Sequence, residues 1–481
     1  MESFQRPFCD NALSRLHPHS SKGGGKVTSQ QWPKTATEAD LPSMECPPHV
    51  VQWIENLPND VFEIVSKVSD HDGGIWIVGG AVRDVCLGLE VHDIDFAVTL
   101  EPEKMMEIFP NSIDTGIEYG TVTLRGENTF YEATTLRIES EYSDGRRPES
   151  VRWGTSLCED LERRDFTINA MAIDVARKVM HDPHFGLQDI DRGIIRSVGQ
   201  AYARISEDAL RILRAYRFLD RDKAGVWKFD IELGEALRQN ASKLEVVTKE
   251  RIWMEFHKIM DGGNVAQVVE KMAHDGVLDM ILPGQWASQH LRLESLYHPY
   301  VTQFDGLTRL ALILSETFSI EVENALIELK LSKKQRLYIQ NLHARFGALP
   351  EPKTSNLRVF RSVLQDQAVQ HLKLEIIVRT HDLSPSVGMQ DGDAEYVESL
   401  LDMLQQLPAL KAGDEPLING HWLMQRTNLK KGIALGKLKS WLHRLQVERD
   451  LENTDDIEEV LCSLHWNEEN YQDWPSLQFP E

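Results

Sequence analysis

Cysteine is scarce in this 481-residue chain and poorly placed for cross-linking. Its five residues, Cys9, Cys46, Cys86, Cys158 and Cys462, are odd in number, far apart and include no CxxC pair. That pattern excludes a disulfide framework and a thiolate zinc site, and points to a reducing, cytoplasmic setting. No apolar run approaches the ~20 residues that span a bilayer. The opening MESFQRPFCDNALSRLHPHSS lacks the apolar centre of a secretory signal. No segment recurs at a fixed period, which excludes a repeat architecture. Basic charge is also in deficit, with 52 Lys and Arg against 75 Asp and Glu, a net charge of −23. Taken alone, that balance argues against a nucleic-acid partner. Its distribution weakens the argument, because residues 450–481 carry ten acidic residues and no Lys or Arg, whereas 137–221 hold fifteen of each sign.

What is present is ordinary globular material, 41% hydrophobic and 26% charged. Residues 1–49 read as a flexible leader, polar and with GGG at 23–25. Five basic and two acidic residues in 1–37 keep organellar targeting open, although arginine is sparse there. From Val50 the apolar spacing of VVQWIENLPNDVFEIVSKV is helical, while IWIV (75–78), IDFAV (94–98), TVTLR (121–125) and TFYEATTLRI (129–138) have the β-branched, aromatic character of strands. After about residue 200 nearly every segment is helical in pattern. The expected plan is an α/β head at 50–200 with a small mixed sheet, then an all-α neck (201–262), body (263–350) and tail (351–481). Loops at 348–356 and 410–417 are the expected joints.

Chemistry concentrates first at IVGGAVRDVCLGLEVHDIDF (77–96). A strand enters Gly79-Gly80 and leaves as a helix. Such a turn lets backbone approach a ligand closely, and the helix start offers unpaired N–H groups to a phosphate. Arg83, one turn on, can add a bidentate contact. Asp93 and Asp95 follow; on a strand, residues i and i+2 share a face. Two such carboxylates repel unless a divalent cation joins them, and hard oxygen ligands suit Mg²⁺, usually completed by substrate phosphates. A lone Gly-Gly is a turn and a lone DxD is surface charge; the joint pattern is what carries the reading. The spacing lacks GxGxxG, which excludes a dinucleotide site.

GGAVRDVCLGLEVHDID resembles the signature of the nucleotidyltransferase superfamily, in the form shared by class II CCA-adding tRNA nucleotidyltransferases and bacterial poly(A) polymerases. The resemblance spans about residues 75–260, and 416–442 resembles the family's C-terminal helical tail. It implies an α/β nucleotidyltransferase head followed by an all-α neck, body and tRNA-binding tail, with Asp93 and Asp95 as catalytic metal ligands for Mg²⁺. Within YEATTLRIESEYSDGRRPESV (131–151), Glu132 stands where the family has a third carboxylate; completing that cluster and a structural ion pair both remain open for it. Arg146 and Arg147 are either solvated charges or levers on the nucleotide pocket. EDLERRDFTINAMAID (159–174) resembles the ribose-recognising motif, which assigns nucleotide contact to Arg164 and the 2′-OH to Asp165. DPHFGLQDID (182–191) resembles the DPFGG linker between head and neck, but with Phe185 at the place of the first glycine. RISEDALRILRAYRF (204–218) reads as one helix whose ridge carries Asp208, Arg211, Arg214 and Arg217 at i+3 spacing. The resemblance implies that Asp208 and Arg211 read the Watson–Crick edge of the base and that Arg214 and Arg217 help hold the nucleotide. Arg251 and Glu255, at i and i+4, read as support for that helix.

The substrates so implied are tRNA, CTP and ATP. IDTGIEYGTVTL (113–124) resembles the stretch found in CCA-adding enzymes rather than the basic element of poly(A) polymerases, and SEYSDGRRP differs from the shortened loop of CC-adding enzymes. Full CCA addition is therefore the leading expectation. A-only addition, poly(A) synthesis and a non-catalytic RNA-binding descendant are the alternatives. Thr380-His381-Asp382 echoes the HD doublet of metal phosphohydrolases without its other ligands.

Overall fold

The computed structural model describes residues 37–139, 151–282, 291–380, 393–467 and 470–480. Arg146, Arg147, His381 and Asp382, and the first 36 residues, lie outside that set.

The head is built on a mixed sheet of eight strands: β1 Met44–Glu45, β2 Ile75–Val78, β3 Asp95–Val98, β4 Ile113–Gly116, β5 Thr121–Arg125, β6 Phe130–Thr135, β9 Ala172–Asp174 and β10 Val179–His181. Their order across the sheet is β1-β10-β9-β2-β3-β6-β5-β4. The intervening β7 Arg137–Glu139 and β8 Val151–Trp153 form a separate antiparallel pair. Within the large sheet only β3 and β6 pair in parallel. β2 is buried along its whole length, as its unbroken apolar run requires of a strand covered on both faces. The expected leader is shorter than residues 1–49 at its C-terminal end. β1 pairs with β10, and the Thr37 hydroxyl donates to the Asp72 carbonyl at 2.8 Å, so residues from Thr37 onward belong to the head.

The helical pattern at 50–68 is two helices, α1 Pro48–Glu55 and α2 Asn59–Ser69, separated at Pro58, which lacks the N–H a continuous helix needs. Six short helices follow through head and linker: α3 Gly80–Cys86, α4 Pro102–Ile108, α5 Leu157–Glu162, α6 Gly186–Arg192, α7 Ala201–Glu207 and α8 Arg211–Leu219. The single helix expected over 204–218 is broken. Asp208 is extended (φ −148°, ψ 105°), and its Oδ1 accepts the backbone N–H of Leu210 at 3.0 Å. A short acidic side chain that bonds the backbone two residues ahead competes with helix continuation, and α8 begins only at Arg211. α9 Ile231–Gln239 and α10 Lys249–Met260 complete the neck.

In the linker, Phe185 is left-handed (φ 60°, ψ 35°), the conformation that the missing glycine would take without strain, and the residue is 69% exposed. Gly186 does need to be glycine, since a Cβ there would lie 2.3 Å from the Thr167 carbonyl oxygen.

One continuous apolar core runs from Val50 in the head through Leu213 and Phe256 in the neck to Leu342 in the body, so head and neck are packed together rather than tethered. Separate clusters centre on Phe360 and Leu400, and on Leu438 and Ile457. The acidic C-terminal stretch returns to the protein: Trp474 is buried beside Trp441, and Phe479 packs edge-on to Phe360 at 4.8 Å. Among the described residues, no helix is long and apolar enough to cross a membrane.

Candidate active site

The central strands β2, β3 and β6 meet the neck in a cleft of about 730 Å³. Gly79 lies at its base with φ 72° and ψ −129°, a combination that a side chain resists. A Cβ at this position would come within 3.3 Å of Arg164 Nη1 and 4.0 Å of Asp95 Oδ2. The glycine therefore provides both the turn and the close approach. Asp95 begins β3 directly opposite Val78 and in parallel register with Glu132, which places both carboxylates on one face. Burial, then the charge of Glu132 and that of Asp93, raise the Asp95 carboxyl above its usual range, with Arg164 offsetting part of the rise. Asp93 does not share the strand, as the i, i+2 argument expected. It is exposed in the preceding irregular segment, because β3 starts only where pairing with β2 begins. Its charge still reaches Asp95.

Arg83 is fixed by a fork onto Asp84 (2.8 and 3.0 Å) and by Nη1 donating to Asn169 Oδ1 at 2.7 Å. Asp160 on α5, 2% exposed, holds Arg163 and Arg164, with Arg164 Nη2 at 3.0 Å from its Oδ2. Burial alone would raise this carboxyl, but the two guanidiniums outweigh it and hold it low. Asp165 is equally committed. Its Oδ1 accepts from Phe166 N (2.9 Å) and Asn169 Nδ2 (3.0 Å), while its Oδ2 accepts from Arg214 Nε (2.7 Å).

Across the cleft, Asp208 Oδ2 accepts from Arg251 Nη2 at 2.7 Å. Arg211 Nη1 donates to Glu207 at 2.7 Å, and Arg217 pairs with Glu255 at 3.0 Å. Arg251 and Glu255 thus hold the loop and helix opposite them, as expected of that pair. Eleven of the twelve sequence-derived positions line this one cleft: Gly79, Gly80, Arg83, Asp95, Glu132, Arg164, Asp165, Asp208, Arg211, Arg214 and Arg217; Asp93 does not. Sequence reasoning missed Asp160, Asn169 and Arg221. Asp160 is legible as the i−3 and i−4 partner of Arg163 and Arg164, and Arg221 as the next step of the arginine series. Eight arginines and five carboxylates line the cleft, so its charge is positive although the chain is strongly acidic.

Residues 75–196 match the family described as Poly A polymerase head domain, and residues 228–289 match the family described as Probable RNA and SrmB- binding site of polymerase A. A CCA-adding enzyme of Ligilactobacillus salivarius (strain UCC118) is 32% identical over 414 residues, covering 85% of this chain and 96% of that one. The chain belongs to the CCA-adding enzyme family. A second CCA-adding enzyme, from Leuconostoc mesenteroides subsp. mesenteroides, is 33% identical over 428 residues, 87% of this chain and all of that one. Among solved structures, the Bacillus stearothermophilus CCA-adding enzyme in complex with CTP superposes with a TM-score of 0.63 at 27% identity, covering 84% of this chain and 97% of that one. Membership in the CCA-adding enzyme family thus extends over head, neck and most of the helical remainder.

Proposed function

We propose that this protein adds C, C and A to the 3′ end of tRNA, taking CTP and ATP, releasing pyrophosphate and using no nucleic-acid template. The observation that carries the reading is that one positive cleft gathers a half-buried carboxylate beside a Gly-Gly turn, the RRD motif and the Asp208/Arg211 pair. The names of the relatives favour CCA addition over poly(A) synthesis, as does the 113–124 stretch. The four cysteines among the described residues are unpaired, which suits a cytoplasmic setting.

The donor set fits a hard divalent cation such as Mg²⁺. Asp95 is a half-buried carboxylate made uncomfortable by its neighbours Glu132 and Asp93, and a bound cation relieves that repulsion. Among the described residues no group of three or more His, Cys, Asp or Glu forms a cage, consistent with two protein carboxylates completed by phosphates and water. Asp93 and Asp95 would hold the metal, with Glu132 alongside; when bound it supplies charge neutralisation at the α-phosphate and a more acidic 3′-OH. The remaining work belongs to the chain. Gly79 and Gly80 keep the turn low so that the phosphates can approach. Arg83 and Arg164 supply fixed positive charge as the 3′-oxygen bonds to the α-phosphorus and the bond to the bridging oxygen of pyrophosphate breaks. Asp165 receives the ribose 2′-OH while anchoring Arg214. Asp208 and Arg211 meet the base edge, exchanging their present partners Arg251 and Glu207 for it. The helical body and tail grip the acceptor minihelix by shape and phosphates.

The decisive test offers transcripts ending before CCA, after C and after CC, with each NTP separately, and sequences the product ends. Stepwise C, C, A is expected. Products ending in A-runs, or no extension at all, would overturn the reading.

A further inference from the structure

Arg221 lies two residues beyond the end of α8, lines the cleft, and is only 8% exposed. Its guanidinium lies over two rings, 5.5 Å from the centre of Phe218 and 4.7 Å from that of Trp227. The rings supply no conventional hydrogen-bond acceptor. Its Nε and Nη2 are buried without a hydrogen-bond partner. Burial, then the charge of Arg83, pushes its pKa down to about 9; Asp84 and Asp220 offset part of this, and Arg217 adds to it.

The surroundings make that isolation specific. Four guanidiniums surround the Phe218 ring, with Arg83 at 5.0 Å, Arg214 at 5.5 Å, Arg217 at 4.6 Å and Arg221 at 5.5 Å. Three have carboxylate partners: Asp84 for Arg83, Asp165 for Arg214 and Glu255 for Arg217. Arg221 has no ion pair among the described residues. A desolvated cation is retained in a fold at a cost, and that cost is recovered only when an anion occupies the space in front of it. The anion must be multivalent, because it would meet several guanidiniums at once. Arginine's planar fork matches phosphate oxygens.

The order of groups along the cleft says which phosphates these are. Gly79 adjoins Asp95, Gly80 adjoins Arg83, and Arg83 and Arg221 lie over the same Phe218 ring, at 5.0 and 5.5 Å from its centre. With the reacting α-phosphate at the Asp95 end, the far phosphates fall toward Arg221. Building on the proposed function, we propose that Arg221 seats the terminal phosphates of the incoming nucleotide and, after transfer, the departing pyrophosphate. It is a positioning residue: it fixes the leaving group and makes no contact with the reacting 3′-oxygen.

The test is calorimetric titration of the full chain, with Mg²⁺ present, by CTP, CMP and inorganic pyrophosphate, comparing wild type with Arg221→Gln and Arg221→Lys. Arg221→Gln is expected to weaken CTP and pyrophosphate by about 10- to 100-fold, the range for a lost charged hydrogen bond, while CMP changes by less than about threefold. Arg221→Lys should recover part of the loss, because it keeps the charge without the fork. In turnover the defect should enter through KM for CTP and ATP, with weaker product inhibition by pyrophosphate. Equal weakening of CMP and CTP, or unaltered pyrophosphate binding, would overturn the assignment. Should the Gln variant not fold, Arg221→Met, whose thioether chain packs against the rings and needs no acceptor, carries the same comparison. Extension of tRNA by the wild type is measured alongside. Its absence would defeat the proposed function, whereas the titrations decide Arg221 on their own.

Discussion

Asp165 and Arg214 join head to neck through a single carboxylate oxygen, with Arg214 Nε at 2.7 Å and Nη2 at 2.6 Å from Asp165 Oδ2. Asp165 is the covered partner, its side chain being 8% exposed against 32% for Arg214. Removing one partner leaves the other charge buried, which typically costs about 3–5 kcal/mol. Arg214→Met should therefore lower stability by about that amount in chemical denaturation, and by more than Arg211→Met. Burial pushes the Asp165 carboxyl up, but Arg214, Asn169 and the Phe166 N–H outweigh it and hold it below the usual range. Its stabilising contribution is complete above the ordinary carboxylate range, ~4, and is lost as pH falls through the lowered native value. Asp165→Asn should accordingly flatten the acid limb of the stability–pH curve and leave its slope above pH ~5 unaltered.

Asp95 is placed the opposite way. Burial first, then Glu132, raises its carboxyl, so its ionised form is disfavoured in the metal-free fold. Asp95→Asn is expected to raise the melting temperature of metal-free protein while reducing nucleotide incorporation by at least ~10³-fold, as for loss of a principal electrostatic group. Mg²⁺ should stabilise wild type and fail to stabilise the variant. A lower metal-free melting temperature for the variant would count against the cluster.

Arg211 tests nucleotide selection. Arg211→Ala should relax the preference for CTP and ATP over UTP and GTP by about tenfold or more, since a good bidentate base contact is worth ~1–3 kcal/mol of discrimination. Single-nucleotide incorporation with each NTP gives the ratio directly. Arg251→Ala, which releases Asp208 from its 2.7 Å contact, should change the same ratio in a smaller degree.

Phe185 is left-handed and exposed, so its ring adds little packing there. Phe185→Gly should remove ~1 kcal/mol of backbone strain, set against the entropy that glycine returns to the unfolded chain. Thermal unfolding should show no loss of stability. Phe185→Ala, which keeps the Cβ, should not match it.

Much of the site is legible in the amino-acid sequence. GGAVRDVCLGLEVHDID, RRDFTINAM and EDALRILRAYRF each combine residue types whose chemistry is specific at that spacing, and eleven of the twelve sequence-derived positions line one cleft. The breaks are less legible. Asp208 leaves the helix as its side chain bonds the backbone N–H two residues ahead, a local choice that apolar periodicity does not report. Asp93 falls short of the strand because β2 has no residue in register with it.

Residue order alone determined the α/β head, the helical remainder and the chemical vocabulary of the motifs, because these depend on backbone periods of two and 3.6 and on groups a few residues apart. Only the tertiary structure decided which charges are satisfied. Asp165 meets Arg214 across 49 residues, Arg251 meets Asp208 across 43, and Arg221 meets no carboxylate among the described residues. Ion pairing depends on distance and burial in three dimensions, and no spacing along the chain encodes either for groups so far apart.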